Sequence, residues 1–255
     1  MIVQTEVFKL KIDIVDYQDD EIISECMATC QEVTCTQPLS LVFADDKVSL
    51  INLARQKQGG ISVDWGTGTM KHRMNYGGGR NSEAVAKAVL GQMKKPIVFD
   101  ATAGLGRDAF ICAYLGGDVH LFERHPCVRI LLKDGIRRAL QNDVIAELVH
   151  NNIHLEEAHT IFEYQGDVLP DTIYMDPMYP ERVKSSNVKK EMDTFHYLVG
   201  EDLDVSELWD KAMHLSHKRV VMKNPKWAPI QNSKRLSGSV VTKNHRFDIF
   251  VPFEK

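Results

Sequence analysis

The chain lacks several features that would take it out of ordinary globular chemistry. No apolar run approaches the roughly 18–20 residues that a membrane span requires. The opening Met-Ile-Val-Gln-Thr-Glu has no basic stretch followed by an apolar one, so no signal peptide is expected. Cysteine is sparse and odd in number, five among 255 residues, which is not a disulfide framework and makes a reducing cytoplasm the expected location. Cys26, Cys30 and Cys35 have neither C-x₂-C spacing nor a second ligand pair at zinc-finger distance. Cys26 and Cys30 lie one helical turn apart and are expected on a buried face, so no metal is expected. Internal repeats and low-complexity linkers are absent. No Ser-His-Asp or Cys-His arrangement can be argued from spacing.

The charge balance is not basic overall, at −4, but it is uneven. Residues 1–50 carry three Lys/Arg against ten Asp/Glu, while residues 177–255 carry 14 against 10. The distribution matters more than the sum for a polyanionic partner. Chains of this length suit one large domain with a small appendage and bury about 70–75% of their unfolded surface.

Along the first ninety-odd residues the pattern is that of a small α+β unit. A helix is expected over 19–34, with Ile22, Ile23, Met27 and Cys30 near one face. Strands are expected at 39–43 and 48–53 around Asp45–Asp46, and another at 61–63 after Gly59–Gly60. Lys71-His-Arg73 and the glycine triplet Tyr76-Gly-Gly-Gly-Arg80 follow. A helix begins near Ser82, whose hydroxyl is placed to cap it, with Glu83 in the first turn.

From residue 96 the order becomes strand, glycine turn, helix, repeated. Ile97-Val-Phe99 ends in Asp100, Gly104 and Gly106 make a turn, and a helix runs over 108–115. Val119 to Phe122 is a strand ending in Glu123. A helix from Pro126 repeats apolar residues at Val128, Leu132, Ile136 and Leu140. Strands at 153–155 and 172–175 follow, the second ending in Asp176. Helices are expected near 186–198 and 203–217, then a strand at 219–222 and a hairpin over 239–251 turning at Asn244. Alternating strands and helices imply an α/β fold with a parallel sheet covered on both faces, one closing strand antiparallel.

Ligands of such sheets bind beyond the carboxyl ends of the strands. Asp100, Gly104, Gly106, Asp108, Glu123, the 156–160 turn and Asp176 all fall there. Glycines admit a close backbone approach, the helix after Gly106 offers unpaired N–H groups, and Glu123 is placed to accept both hydroxyls of a ribose. Gly104 to Ala109 also satisfies G-x-G-x-x-A, so a nicotinamide-dependent dehydrogenase competes at this point. Asp176-Pro-Met-Tyr179 breaks the tie. It resembles the [D/N]-P-P-[Y/F] motif of methyltransferases acting on exocyclic amines of adenine, guanine or glutamine. An aryl amine is a poor nucleophile because its lone pair is delocalised. Acceptors on its two N–H bonds, from the Asp176 side chain and the Pro177 carbonyl, aim the lone pair. Tyr179 supplies a stacking face.

With these residues together, the chain resembles the RsmJ-type family of bacterial 16S ribosomal RNA guanine-N2 methyltransferases. The matching stretches are Gly59–Asp64, Gly77–Arg80 with Glu83–Val89, Asp100–Phe110, Glu123–Arg124, Asp176–Pro180, Val188–Met192, Leu198–Gly200 and Thr242–Asp248. The likeness runs from about residue 59 to the end. It implies a Rossmann-like sheet over 81–255 behind a small N-terminal α+β domain over 1–80. It also implies S-adenosylmethionine as cofactor and ribosomal RNA or the small subunit as partner, without membrane association. Arg107, Asp108, Glu123, Arg124, His159, Thr160 and Asp176 fall on the family's cofactor contacts. The family carries small hydroxyl residues where this chain has His159, and Met178 replaces the second proline of the amine-methyltransferase motif. Candidate RNA contacts are Arg182, Lys184, Lys189 and Lys190 after the reacting loop, with Lys71, Arg73 and Arg80 before the sheet and Lys223, Lys243, His245 and Arg246 near late strand ends. A methyltransferase for adenine N6 or protein glutamine, a dehydrogenase, and a non-catalytic RNA-binding protein are the alternatives.

Overall fold

The computed structural model describes residues 6–178 and 190–254. They pack as two compact units, one drawn from the described residues up to 63, from 125–138 and from 178–202, the other from 64–124, 139–177 and the described residues from 203 on.

The second unit holds a seven-stranded sheet. Its strands are β1 (Ile97–Asp100), β2 (Asp118–Leu121), β3 (Ile153–Leu155), β4 (Thr172–Met175), β5 (Arg219–Pro225), β6 (Leu236–Val241) and β7 (His245–Phe250), in the spatial order 3-2-1-4-5-7-6. β1 to β5 are mutually parallel, and β7 runs antiparallel to both β5 and β6. This is the arrangement expected from the α/β alternation and the closing hairpin. The strand order reverses between β1 and β4, so the ligand crevice lies where Asp100 and Asp176 end neighbouring strands.

Side chains alternate between faces along each strand. On one face Phe99, Ile173, Met175, Val220, Met222 and Phe250 form a buried core with Trp209, Ala212 and Met213 of the helix Val205–Leu215. The opposite face carries Thr172, whose hydroxyl donates to the Val89 carbonyl at 3.0 Å, and Tyr174, which reaches Asp108. The helices Ala84–Val89 and Arg107–Tyr114 supply those partners. Asp100, Asp176 and Lys223 share the face of Tyr174, and this shared face decides the chemistry below.

Two expectations here need correction. Ser82 does not cap the helix that follows; its hydroxyl donates to the Gly79 carbonyl at 3.0 Å, and the helix starts at Ala84. The helices Gly68–Tyr76 and Ala146–Asn152 were not expected. The first is polar, with a weak apolar pattern, and the second is two turns long.

In the first unit the strands Leu39–Ala44 and Lys47–Asn52 form the expected hairpin. Asp45 and Asp46 both take positive φ, 53° and 52°, the backbone of a tight two-residue turn that short acidic side chains tolerate. Lys11–Ile14 pairs parallel to the first of these strands. Ile61–Val63 is not a strand; Ile61 alone bridges to Leu50. The helix Asp20–Thr29 starts on Asp19, whose carboxylate accepts the Ile22 N–H at 3.0 Å. Its buried face is Ile22 and Cys26, continuing to Cys30, whereas Met27 is 40% exposed. The cysteines therefore take the buried face, and Met27 does not. The helix Pro126–Leu140 places Asp134 at 0% exposure. That carboxylate accepts from the Tyr17 hydroxyl at 2.8 Å, the Val48 N–H at 3.1 Å, Arg137 at 3.0 Å and Arg138 at 2.9 Å.

Candidate active site

The loop after β1 is shaped by its glycines. Gly104 and Gly106 have φ of 55° and 66°, a region costly for residues with a Cβ. The chain thereby turns sharply into the helix Arg107–Tyr114, with Gly106 as its N-cap. The Gly104 N–H donates to Glu123 Oε2 at 2.8 Å, so the loop is tied to the acid just beyond β2. Trp65 holds the loop as well, donating its indole N–H to the Leu105 carbonyl at 3.1 Å and stacking on Phe110 at 5.4 Å. Thr102 accepts the Asp176 N–H at 2.7 Å and ties the glycine loop to the end of β4.

At the centre stands Lys223. Its ammonium lies 2.6 Å from Asp176 Oδ2 and 3.1 Å from Asp108 Oδ2. Asp108 Oδ2 also accepts the Tyr174 hydroxyl at 2.8 Å, and Arg73 lies 4.0 Å from its other oxygen. Burial opposes ionisation of Asp108, yet Lys223, Tyr174 and Arg73 hold its carboxyl below the usual value. At Asp176 burial prevails and raises the carboxyl pKa, with Lys223 working the other way. Asp100 is 2% exposed, and burial pushes its carboxyl well up. Thr102 opposes that rise through its backbone N–H, while Asp108, Asp176 and Glu123 add to it.

The family relations of the chain agree with this geometry. The family described as "Putative SAM-dependent methyltransferase" matches residues 26–252. The ribosomal RNA small subunit methyltransferase J of Haemophilus influenzae is 45% identical over 246 residues, covering 94% of this chain and 95% of the relative. That of Proteus mirabilis is 48% identical over 219 residues, covering 84% and 87%. This chain belongs to that methyltransferase family. A crystal structure of an SAM-dependent methyltransferase from Neisseria gonorrhoeae is 32% identical, covers 96% of this chain and 97% of its own, and superposes with a TM-score of 0.72.

The residues present suit the methyltransferase cofactor. The Gly104–Gly106 turn leads into a helix N-terminus, which attracts a carboxylate. Glu123 stands at the end of the second strand, where a carboxylate meets ribose hydroxyls. Asp108 and Asp176 around one ammonium leave a net negative charge, complementary to a sulfonium.

The structure brings Asp100, Gly104, Gly106, Asp108, Glu123 and Asp176 to one end of the sheet. Pro177 is buried directly after Asp176, and Arg107 is exposed at the start of its helix. Arg124 pairs with Asp204 at 2.8 Å. His159 is exposed in the turn after β3; its N–H donates to Glu163 at 3.0 Å, and the Glu163 N–H donates to the Thr160 carbonyl at 3.1 Å. Tyr179, Arg182, Lys184 and Lys189 lie outside the described residues. Lys190 opens the helix Lys190–Val199.

Several expected RNA contacts have other partners. Lys223 is held by two carboxylates rather than standing ready for phosphate. Arg80 donates from Nε to the Leu115 carbonyl at 2.6 Å, from NH1 to Met93, and from NH2 to Lys94 and Gly116 at 3.3 Å each. All four carbonyls lie in the segments that follow the helices Ala84–Val89 and Arg107–Tyr114. Arg246 grips the buried Asp248 through Nε at 2.7 Å and NH2 at 2.8 Å. Arg73 pairs with Glu83 at 2.7 Å. Lys71, Lys243 and His245 are exposed. Sequence reasoning assigned no role to Tyr174, Thr102 or Trp65. A lysine directly after the apolar run Val220-Val-Met222 is the one available signal of a buried ion pair. Elsewhere, β2 and β3 are laced by His154 to Asp118 at 2.8 Å and His120 to Glu156 at 2.6 Å.

Proposed function

We propose that this protein methylates the exocyclic N2 amine of a guanine in small-subunit ribosomal RNA. The observation that carries this reading is Asp176. It follows β4 beside the sheet's crevice, one oxygen held by Lys223, and opens the Asp-Pro-Met-Tyr sequence. The names of the curated relatives support the RNA as substrate.

When bound, S-adenosylmethionine supplies a methyl group already activated by its sulfonium. The chain's contribution is alignment in a preorganised polar site. Asp108, Glu123 and the Gly104–Gly106 turn hold the cofactor, with Arg107, Arg124, His159 and Thr160 as its further contacts. Asp176 and the Pro177 carbonyl accept the two N–H bonds of the amine, and Tyr179 stacks on a base withdrawn from its helix. Lys71, Lys243, His245 and the Arg182–Lys190 segment meet the phosphates. Mass mapping of small-subunit RNA from cells with and without the protein tests the reading. Loss of one N2-methylguanine in its absence is expected; an unchanged RNA refutes it.

A further inference from the structure

Lys223 is the only ammonium among the described residues that bridges two carboxylates of this site. On β5 it follows the apolar run Val220-Val-Met222 and precedes the buried Asn224, and it lies on the sheet face that also presents Tyr174 and Asp176. A charge in such a place is costly unless paired and hydrogen-bonded. The pairing is asymmetric in what it joins. Asp108 belongs to the first turn of the helix after the glycine loop, the half of the site assigned to the cofactor. Asp176 belongs to the reacting loop. Lys223 reaches both, at 3.1 Å and 2.6 Å, and Tyr174 anchors the same Asp108 oxygen at 2.8 Å.

We propose that Lys223 is a positioning residue for methyl transfer, fixing Asp176 through Oδ2 against Asp108 and leaving Oδ1 to accept an N–H of the target amine. The inference rests on the methyl-transfer reading above and adds a role for a residue that touches neither the base nor the phosphates. A carboxylate held at one oxygen keeps its orientation, and small errors in the placement of reacting groups are expensive in rate. Without the ammonium, Asp176 would lose this side-chain tether and its pKa would rise further, since Lys223 is the larger of the two groups that oppose burial there, His245 being the other, while Asp108 adds to the rise.

The test compares wild type, Lys223→Met and Lys223→Arg in single-turnover methylation of small ribosomal subunits, across pH and at saturating cofactor and RNA. Lys223→Met is expected to lower the rate by about tenfold or more, the scale of misplacement effects, and to move the acid limb of the pH profile to higher pH. The slope of RNA affinity against salt should stay unchanged. Lys223→Arg keeps the charge, so it should recover part of the rate with the acid limb near its wild-type position. This variant also keeps the test decisive where Lys223→Met fails to fold. A wild-type rate in Lys223→Met, a rate loss without movement of the acid limb, or a loss confined to RNA affinity with a flatter salt slope would each overturn the proposal. So would Lys223→Arg as slow as a folded Lys223→Met. Wild-type protein that transfers no methyl to subunit RNA would instead overturn the underlying function.

Discussion

Gly104 and Glu123 are joined by a 2.8 Å hydrogen bond from backbone N–H to carboxylate, across 19 residues of sequence. One acid thereby shapes the glycine loop and presents a carboxylate at the end of β2. Glu123→Ala should weaken S-adenosylmethionine binding by about 1.5–3 kcal/mol, the range for charge-assisted hydrogen bonds. Glu123→Gln keeps an acceptor for Gly104 and should lose less. Titration calorimetry checks both, and unchanged affinity in the alanine variant would remove Glu123 from the site.

Asp134 is a structural counterpart, buried at 0% exposure among four donors. Asp134→Ala leaves Arg137 and Arg138 without a shared partner. Breaking a buried pair from one side costs about 3–5 kcal/mol, which thermal melting should register as a clear fall in Tm. An unchanged Tm would mean that the arginines find equivalent partners.

Some cations are bound within the protein, and the proposed function gives others to phosphate. Arg80→Ala removes donors from four carbonyls and should lower Tm while leaving the salt slope of RNA binding intact. Neutralising Lys184, Lys189 and Lys190 together should flatten that slope by about 0.9 or less for each phosphate that no longer meets a lysine, with cofactor affinity unaltered. The reverse pattern would exchange their roles.

Much of the fold was legible because its signals are local. Asp45–Asp46 between two alternating apolar runs gives the hairpin, and the Gly104–Gly106 turn after Ile97-Val-Phe99 marks the first strand, loop and helix. The ends of β1, β2 and β4 give Asp100, Glu123 and Asp176 directly. The polar helix Gly68–Tyr76 escaped because its apolar periodicity is weak. Lys223 and Arg80 read in sequence as cations for phosphate. Their true partners, Asp176 and Asp108 for one and the carbonyls of residues 93, 94, 115 and 116 for the other, come together only through strand order and helix packing. Charge alone carries no information about distance, so a buried lysine and a phosphate-binding one read alike in sequence.

Tyr179 is expected to act through its ring face. Tyr179→Ala should bind S-adenosylmethionine near normally and methylate RNA about tenfold more slowly or worse, since stacking on one base is worth about 1–3 kcal/mol. Tyr179→Phe should keep most of the activity. Full methylation by the alanine variant would pass the stacking role to another aromatic, with Trp227 and Phe195 the first to try.

The most direct test of guanine-N2 transfer uses purified protein, isotopically labelled S-adenosylmethionine and small ribosomal subunits from cells lacking the protein. The RNA and the ribosomal proteins are then digested separately and analysed by mass spectrometry. Label recovered as N2-methylguanosine with the wild type, and none with Asp176→Ala, is the predicted result. Label recovered as N6-methyladenosine or methylglutamine, or no transfer at all, would contradict it.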